Sequence, residues 1–337
     1  MPDRTIICPP EWDPQSAVWV GWPRLEAEWG EAFAMARLEI AGFVRALSQF
    51  IAVRLAVGDD AAADDAYAML GDAAEIHRVP SGDIWLRDTG PLFGLAGDAP
   101  SALTFRFNGW GGKYVMDGDT GTAAALCELE TVTATPHDFV LEGGAIEQDG
   151  AGALLTTRQC LLNENRNPSW TEDIADAALK DAFGADRIIW LEDGLTGDHT
   201  DGHIDNIARF VAPGHVLCQS ASGINDPNAE RLAEIEATLR ATGLEVSTLP
   251  SPGRIQDEAG AVLPASHMNF LITNGAVLMP AFENDFSVEA AAMLSELFPG
   301  RDVLALPARH ILSGGGAFHC MTQQVPDWPQ LRKGPTP

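Results

Sequence analysis

Three stretches of the chain repeat one another at intervals of about 60 residues, and that period constrains the fold more than any other feature. They begin at Gly144, His203 and His267, and each reads as a polar start, a short strand, a tight turn and a second strand. Asp149-Gly150, Pro213-Gly214 and Asn274-Gly275 supply the turns. Arg87-Asp88-Thr89-Gly90-Pro91 with the strand behind it, and a strand containing Cys320, supply a fourth and a fifth copy. Amphipathic helix patterns fall between the strands, roughly at 25–49, 60–73, 120–131, 170–184, 226–243 and 286–298. No Pro/Ser/Gly tract or charge block divides the chain, so the expectation is one α/β domain over 1–337, built from five ββαβ units around an axis.

Such an arrangement brings the polar start of every unit to the centre, where Asp88, Glu142, His203, Asp205, His267, Asn269 and Cys320 would meet. Cys320 follows Gly314-Gly315-Gly316 closely, and a run of glycine that packs no side chain suits a place where backbone must approach a ligand. A thiol with distant His and Asp partners is the arrangement of an activated nucleophile, whose partners meet in space rather than in sequence. The stretch Asp198-His199-Thr200-Asp201-Gly202-His203-Ile204-Asp205-Asn206 supplies those types. His319 is set aside, because adjacent residues on a strand face opposite ways.

Composition narrows the partners. A net charge of −27 and a pI near 4.4 argue against nucleic acid and anionic membrane, both of which need basic patches. A small cation is the favoured ligand. The five cysteines are scattered with no CxxC or zinc-ligand spacing, the pattern of a reducing compartment, and the N-terminus shows no basic-then-apolar signal. A cytoplasmic protein able to form a homo-oligomer is expected.

The residues that carry chemistry also carry a resemblance. Pro9-Pro10-Glu11-Trp12, Trp19-Val20-Gly21-Trp22-Pro23, Ile84-Trp85-Leu86-Arg87-Asp88-Thr89-Gly90-Pro91, Phe107-Asn108-Gly109-Trp110-Gly111-Gly112-Lys113-Tyr114 and Leu141-Glu142-Gly143-Gly144 come in that order. Cys160-Leu161-Leu162-Asn163 through Pro168, Gly202-His203-Ile204-Asp205-Asn206 and the Cys320 motif follow. Together they resemble the agmatine deiminase and bacterial peptidyl-arginine deiminase family of the guanidino-group-modifying, or pentein, superfamily. The resemblance implies a five-fold pseudosymmetric α/β propeller and hydrolysis of agmatine to N-carbamoylputrescine and ammonia, a step toward putrescine and the polyamines, without metal or organic cofactor. It also implies roles. Cys320 would attack the guanidinium carbon, His203 would act as acid and then base, Asp88 and Asp205 would hold the guanidinium, and Glu142 would orient His203. Trp85, Trp110 and Gly316 would line the substrate. Free or peptidyl arginine would use the same central residues. Arg158, where the family often has an acid, and Arg166 are the cations that could meet an α-carboxylate, with His199 a further candidate at that end. With Lys and Arg at 21 against 48 Asp and Glu, a dicationic amine is the expected substrate. The stretches 108–120 and 250–266 are candidate lids.

Two other readings remain open at this point. The Asp198/His199/His203/Asp205 spacing could ligate metal as in manganese ureohydrolases, which release urea, although no second Asp-rich cluster accompanies it. A non-catalytic propeller that binds a partner would not need the full Cys, His and carboxylate set.

Overall fold

In the computed structural model, which describes residues 6–328, the predicted repeat is a physical one: the strands form five small sheets. Four are built alike. Leu92–Ala96 and Ala99–Arg106 make an antiparallel hairpin, the helix Asp119–Leu129 crosses over, and Thr133–Val140 returns parallel to the second strand. The same order recurs with Glu147–Gln148, Ala153–Thr157 and Arg187–Leu191, then with Ala208–Ala212, His215–Ser220 and Glu245–Pro250. Leu271–Ile272, Ala276–Ala281 and Asp302–Pro307 complete the four. The fifth sheet takes strands from both ends of the chain: Thr322–Pro326 pairs antiparallel with Gln15–Gly21, which runs parallel to Ala52–Val57, itself parallel to Glu75–Arg78.

Local chemistry explains the elements. The helix Glu172–Phe183 starts where the Thr171 hydroxyl accepts from Ile174 N–H, buries Ala175, Leu179, Ala182 and Phe183 on one face, and stops at Gly184, whose φ of 64° is left-handed. Gly150 and Gly214, at φ 67° and 72°, make the hairpin turns that their sequences announced. The central strands are buried along most of their length, as in Ala276–Ala281 and Ala153–Thr157, so they read as apolar runs without strict alternation.

One feature departs from expectation and decides where the site lies. The polar unit starts are not strand residues. They are tight turns just before the first strand of each sheet: Leu86–Thr89, Gly143–Ala145, Ile204–Asn206, a turn at 267–268 and a turn at 318–321. These turns are bonded to one another. Ser266 Oγ donates to Asn206 O (2.7 Å), His319 N to Asn269 O (3.1 Å), Arg87 N to Cys320 O (3.0 Å) and Gly144 N to Asp88 Oδ1 (3.0 Å). Gly143 leaves no room for a side chain, since a Cβ there would sit 2.2 Å from Arg87 O.

Candidate active site

The five stitched turns bring Asp88, Glu142, His203, Asp205, Asn269 and Cys320 into one buried cluster. Cys320 belongs to the last of them and is 3% exposed. Its Sγ accepts from Asn269 Nδ2 at 2.9 Å and donates to Asp205 Oδ2 at 3.4 Å. Burial, followed by the charges of Asp205 and Asp88, holds the thiol well above its ordinary pKa, so it is protonated at neutral pH.

The two carboxylates differ. Asp88 Oδ2 accepts from Trp110 Nε1 at 2.9 Å and its Oδ1 from Gly144 N–H, yet burial and the neighbouring Asp205 raise its pKa against the help of His203. Burial raises Asp205 too, but His319 outweighs it, aided by His203 and Arg209, and the net shift is downward. Asp205 Oδ2 is occupied by His319 Nδ1 at 2.7 Å, while Oδ1 is buried with no partner.

His203 is fully buried, its Nδ1 3.6 Å from Asp88 Oδ1. Burial opposes its charge, but Asp88, Cys160 and Glu142 together prevail and hold its pKa well above the ordinary value. Neither ring nitrogen meets a hydrogen-bond partner at close range: Nδ1 stands off Asp88, and the ring also lies beside Cys160 and Glu142. Glu142 lies behind it, with Oε1 accepting from Arg166 Nε at 2.6 Å and Oε2 free. Glu142, Cys160 and His203 bring ligand-type atoms within 4.8 Å of one another, but the Arg166 guanidinium bonded to Glu142 opposes a metal cation there. Asp198, the other half of the ureohydrolase reading, is spent on its own loop, accepting from Thr200 N and Oγ1 at 2.8 and 2.6 Å.

A pocket descends to Cys320 between Trp29, Trp85, Trp110, Tyr114, Met116 and the Gly314–Gly316 run. The glycines are there for space. A Cβ on Gly314 would meet the Trp29 and Trp85 rings at 2.7 and 2.8 Å, and one on Gly316 would lie 2.7 Å from Trp85 and 2.9 Å from Cys320 Cβ. Trp29 and Trp85 stack at 6.0 Å, and their Nε1 atoms donate to the two oxygens of Asp83 at 3.0 and 3.1 Å. Burial pushes Asp83 up to about 6. Glu28 and His199 stand at the mouth, and none of the described residues lining the pocket is Lys or Arg.

Several expectations are corrected. His267 lies outside the cluster: its Nδ1 faces Pro250 O at 2.8 Å and its Nε2 Ser287 Oγ at 3.0 Å, and burial lowers its pKa to about 4, making it a neutral structural residue. Arg166 is buried against Glu142, Asp201 and Thr200 O, and Arg158 is paired with Glu172 and Glu192 away from the pocket, so neither is placed to meet a substrate carboxylate. His199 does line the mouth. Of the two candidate lids, 108–120 contributes Trp110, Tyr114 and Met116 to the wall, whereas 250–266 contributes nothing to it. His319, set aside on strand alternation, sits in a turn and touches Asp205. Asp83 and Trp29 went unnoticed in the sequence; the Asp83-Ile84-Trp85 spacing is the one local signal that tied a carboxylate to the Trp85 wall.

The family model for Porphyromonas-type peptidyl-arginine deiminase matches residues 7–326. The chain belongs to that family. It is 36% identical to the agmatine deiminase of Stutzerimonas stutzeri over 94% of its own length and 95% of that protein's. Among solved structures it resembles the agmatine deiminase of Enterococcus faecalis, with a TM-score of 0.90, 29% identity and 96% of each chain covered. The substrate-bound agmatine deiminase of C. jejuni gives the same TM-score and identity over 96% of this chain and 97% of that one. The α/β architecture of five mixed sheets is thus that of the pentein enzymes, and the chain is a hydrolase of that class. Among the described residues no helix is long and apolar enough to cross a membrane.

Proposed function

We propose that the whole chain forms one catalytic unit that hydrolyses agmatine to N-carbamoylputrescine and ammonia. The observation that carries this reading is the pocket itself, with a thiol at its floor beside Asp88 and Asp205, apolar indole walls, and carboxylates but, among the described residues, no Lys or Arg along its length. A guanidinium fits the floor, because its planar N–H groups match carboxylate acceptors. Asp83 and Glu28 favour a second positive charge further out, and an α-carboxylate entering the same space would meet no Lys or Arg among the described residues. The names of the relatives agree with that chemistry.

Each residue then has a role. The substrate cation settles between Asp88 and Asp205, and its charge lowers the pKa of the Cys320 thiol that burial and the two carboxylates had raised. With its proton released to bulk water, sulfur attacks the guanidinium carbon, and His203, whose ring is held cationic by Asp88, Cys160 and Glu142, gives its own proton to the departing nitrogen and is left neutral. Ammonia leaves an amidino-cysteine. His203, now a base, takes a proton from water as its oxygen adds to the same carbon; the C–S bond breaks, sulfur recovers a proton, and the ureido product departs. Glu142 supports His203 from behind, itself fixed by Arg166. No metal ligand set and no organic cofactor is required by any step.

The test is product identification by mass spectrometry with a panel of agmatine, arginine, a peptidyl-arginine and guanidinobutyrate. N-carbamoylputrescine from agmatine, with far slower turnover of the carboxylate-bearing compounds, is expected. Urea among the products, or arginine as the better substrate, would overturn the reading.

A further inference from the structure

His319, the neighbour of the nucleophile, is used by no step above, yet it is buried between two carboxylates. Its Nδ1 lies 2.7 Å from Asp205 Oδ2 and its Nε2 2.9 Å from Glu11 Oε2. A carboxylate oxygen accepts and cannot donate, so both ring nitrogens donate and the ring holds both protons. Glu11 is held in its turn: Oε2 lies 3.1 Å from an Arg209 terminal nitrogen and 3.5 Å from one of Arg87, while Oε1 accepts from Ile272 N–H at 2.6 Å. Arg209 is completed by Glu147 at 3.0 Å. A line of alternating charge therefore runs from the substrate carboxylate through His319 into the body of the protein.

We propose that His319, anchored by Glu11, is a positioning residue for deimination: it fixes the Asp205 carboxylate with Oδ1 free for the substrate guanidinium and keeps that carboxylate ionised beside Asp88. The proposal rests on the deiminase reading and adds to it a residue that touches neither substrate nor nucleophile sulfur. The need for it is physical. Two buried carboxylates sharing one site repel, and without a compensating cation one of them takes up a proton. Asp205 faces His203, Cys320, Asp88, Arg87 and Arg209 as well as His319, and its pKa lies below the ordinary value with His319 foremost among the groups that offset burial. Asp88, whose histidine neighbour His203 stands farther off at 3.6 Å, is pushed up by burial.

The experiment compares wild type, His319→Gln and Glu11→Gln in agmatine turnover and in competitive inhibition by methylguanidine, a probe with a guanidinium alone that does not sense the distal carboxylates. Glutamine at 319 can donate to Asp205 but brings no charge. Its inhibition constant should rise roughly tenfold near neutral pH, and its weakening on going from mildly alkaline to mildly acidic buffer should exceed that of wild type about fivefold, because Asp205 now titrates higher. KM should rise more than kcat falls. A His319→Gln enzyme whose inhibition has the wild-type pH dependence, with kcat and thermal stability alone reduced, would reduce His319 to a packing residue. If His319→Gln does not fold, Glu11→Gln decides: the pH dependence must steepen in the same direction, and an unchanged one overturns the proposal. Wild type that neither turns over agmatine nor binds methylguanidine would instead defeat the deiminase reading, so the two failures are distinguishable.

Discussion

In the proposed mechanism Cys320 is a nucleophile kept neutral until its substrate arrives. Burial and two carboxylates hold the thiol up, so a neutral alkylating agent such as iodoacetamide should modify it slowly at neutral pH in the free enzyme, with a rate that still climbs above pH 9. A rate already at its plateau near pH 7 would show a thiolate in the empty site and contradict the substrate-supplied charge. Asp83 offers a second residue-level prediction. Its carboxyl titrates near about 6, and only the ionised form attracts the far ammonium of agmatine, so KM should fall as pH rises through that value. In Asp83→Asn that limb should vanish and KM at neutral pH should rise about tenfold, one charge-assisted contact of ~1.4 kcal/mol; an unaltered pH profile would remove Asp83 from recognition. At this scale the sequence showed the site unevenly. Cys320, His203, Asp88, Asp205 and Glu142 stood out because each opens a repeated unit. Glu11 did not, since its link to His319 spans the chain and depends on the pairing of its two ends.

Short turns, not strands or long helices, are the elements that hold the chemistry. Leu86–Thr89, Gly143–Ala145 and Ile204–Asn206 are three or four residues each, too short to leave a period in the sequence, whereas the long helices were legible to within a few residues. The same blindness misplaced His319: strand alternation was applied to a turn, and in a turn consecutive side chains need not diverge by half a revolution. The glycine run behaves as its composition indicated. Gly316→Ala would press a methyl group against Trp85 and Cys320, so kcat/KM should fall at least a hundredfold, ~2.7 kcal/mol, while the midpoint of thermal unfolding changes little. A large loss of stability with kcat/KM retained would mean that the glycines serve packing and not the approach of substrate.

Across the whole molecule the repeat was visible and the ionic centre was not. Hairpin turns and crossover helices are local and recur, so five similar units could be read; Glu11, Arg87, Glu147, Arg209 and His319 come from distant stretches and meet only in the fold. Removing such charges from water costs several kcal/mol each unless all are paired, which ties acid stability to this cluster. Burial raises Glu11, but Arg209, His319 and Arg87 overcome it and hold its carboxyl well below the usual range, and Asp205 is lowered likewise. A depressed carboxyl stabilises the fold above its unfolded-state pKa near ~4 and loses that contribution as pH falls through the folded value. Thermal stability should therefore decline steeply below pH ~4, and Glu11→Gln should be less stable at neutral pH with a shallower acid decline; equal acid slopes would disconnect the cluster from acid unfolding.

The central claim is covalent catalysis by Cys320 on a guanidinium, and intact-protein mass spectrometry of the acid-quenched enzyme during agmatine turnover tests it most directly. The account predicts a protein heavier by agmatine less ammonia, with the increment mapped to the Cys320 peptide, formed more slowly but persisting in His203→Ala, where both the acid and the base are lost, and absent together with all activity in Cys320→Ala. Turnover by Cys320→Ala, or an increment on any other residue, would contradict it.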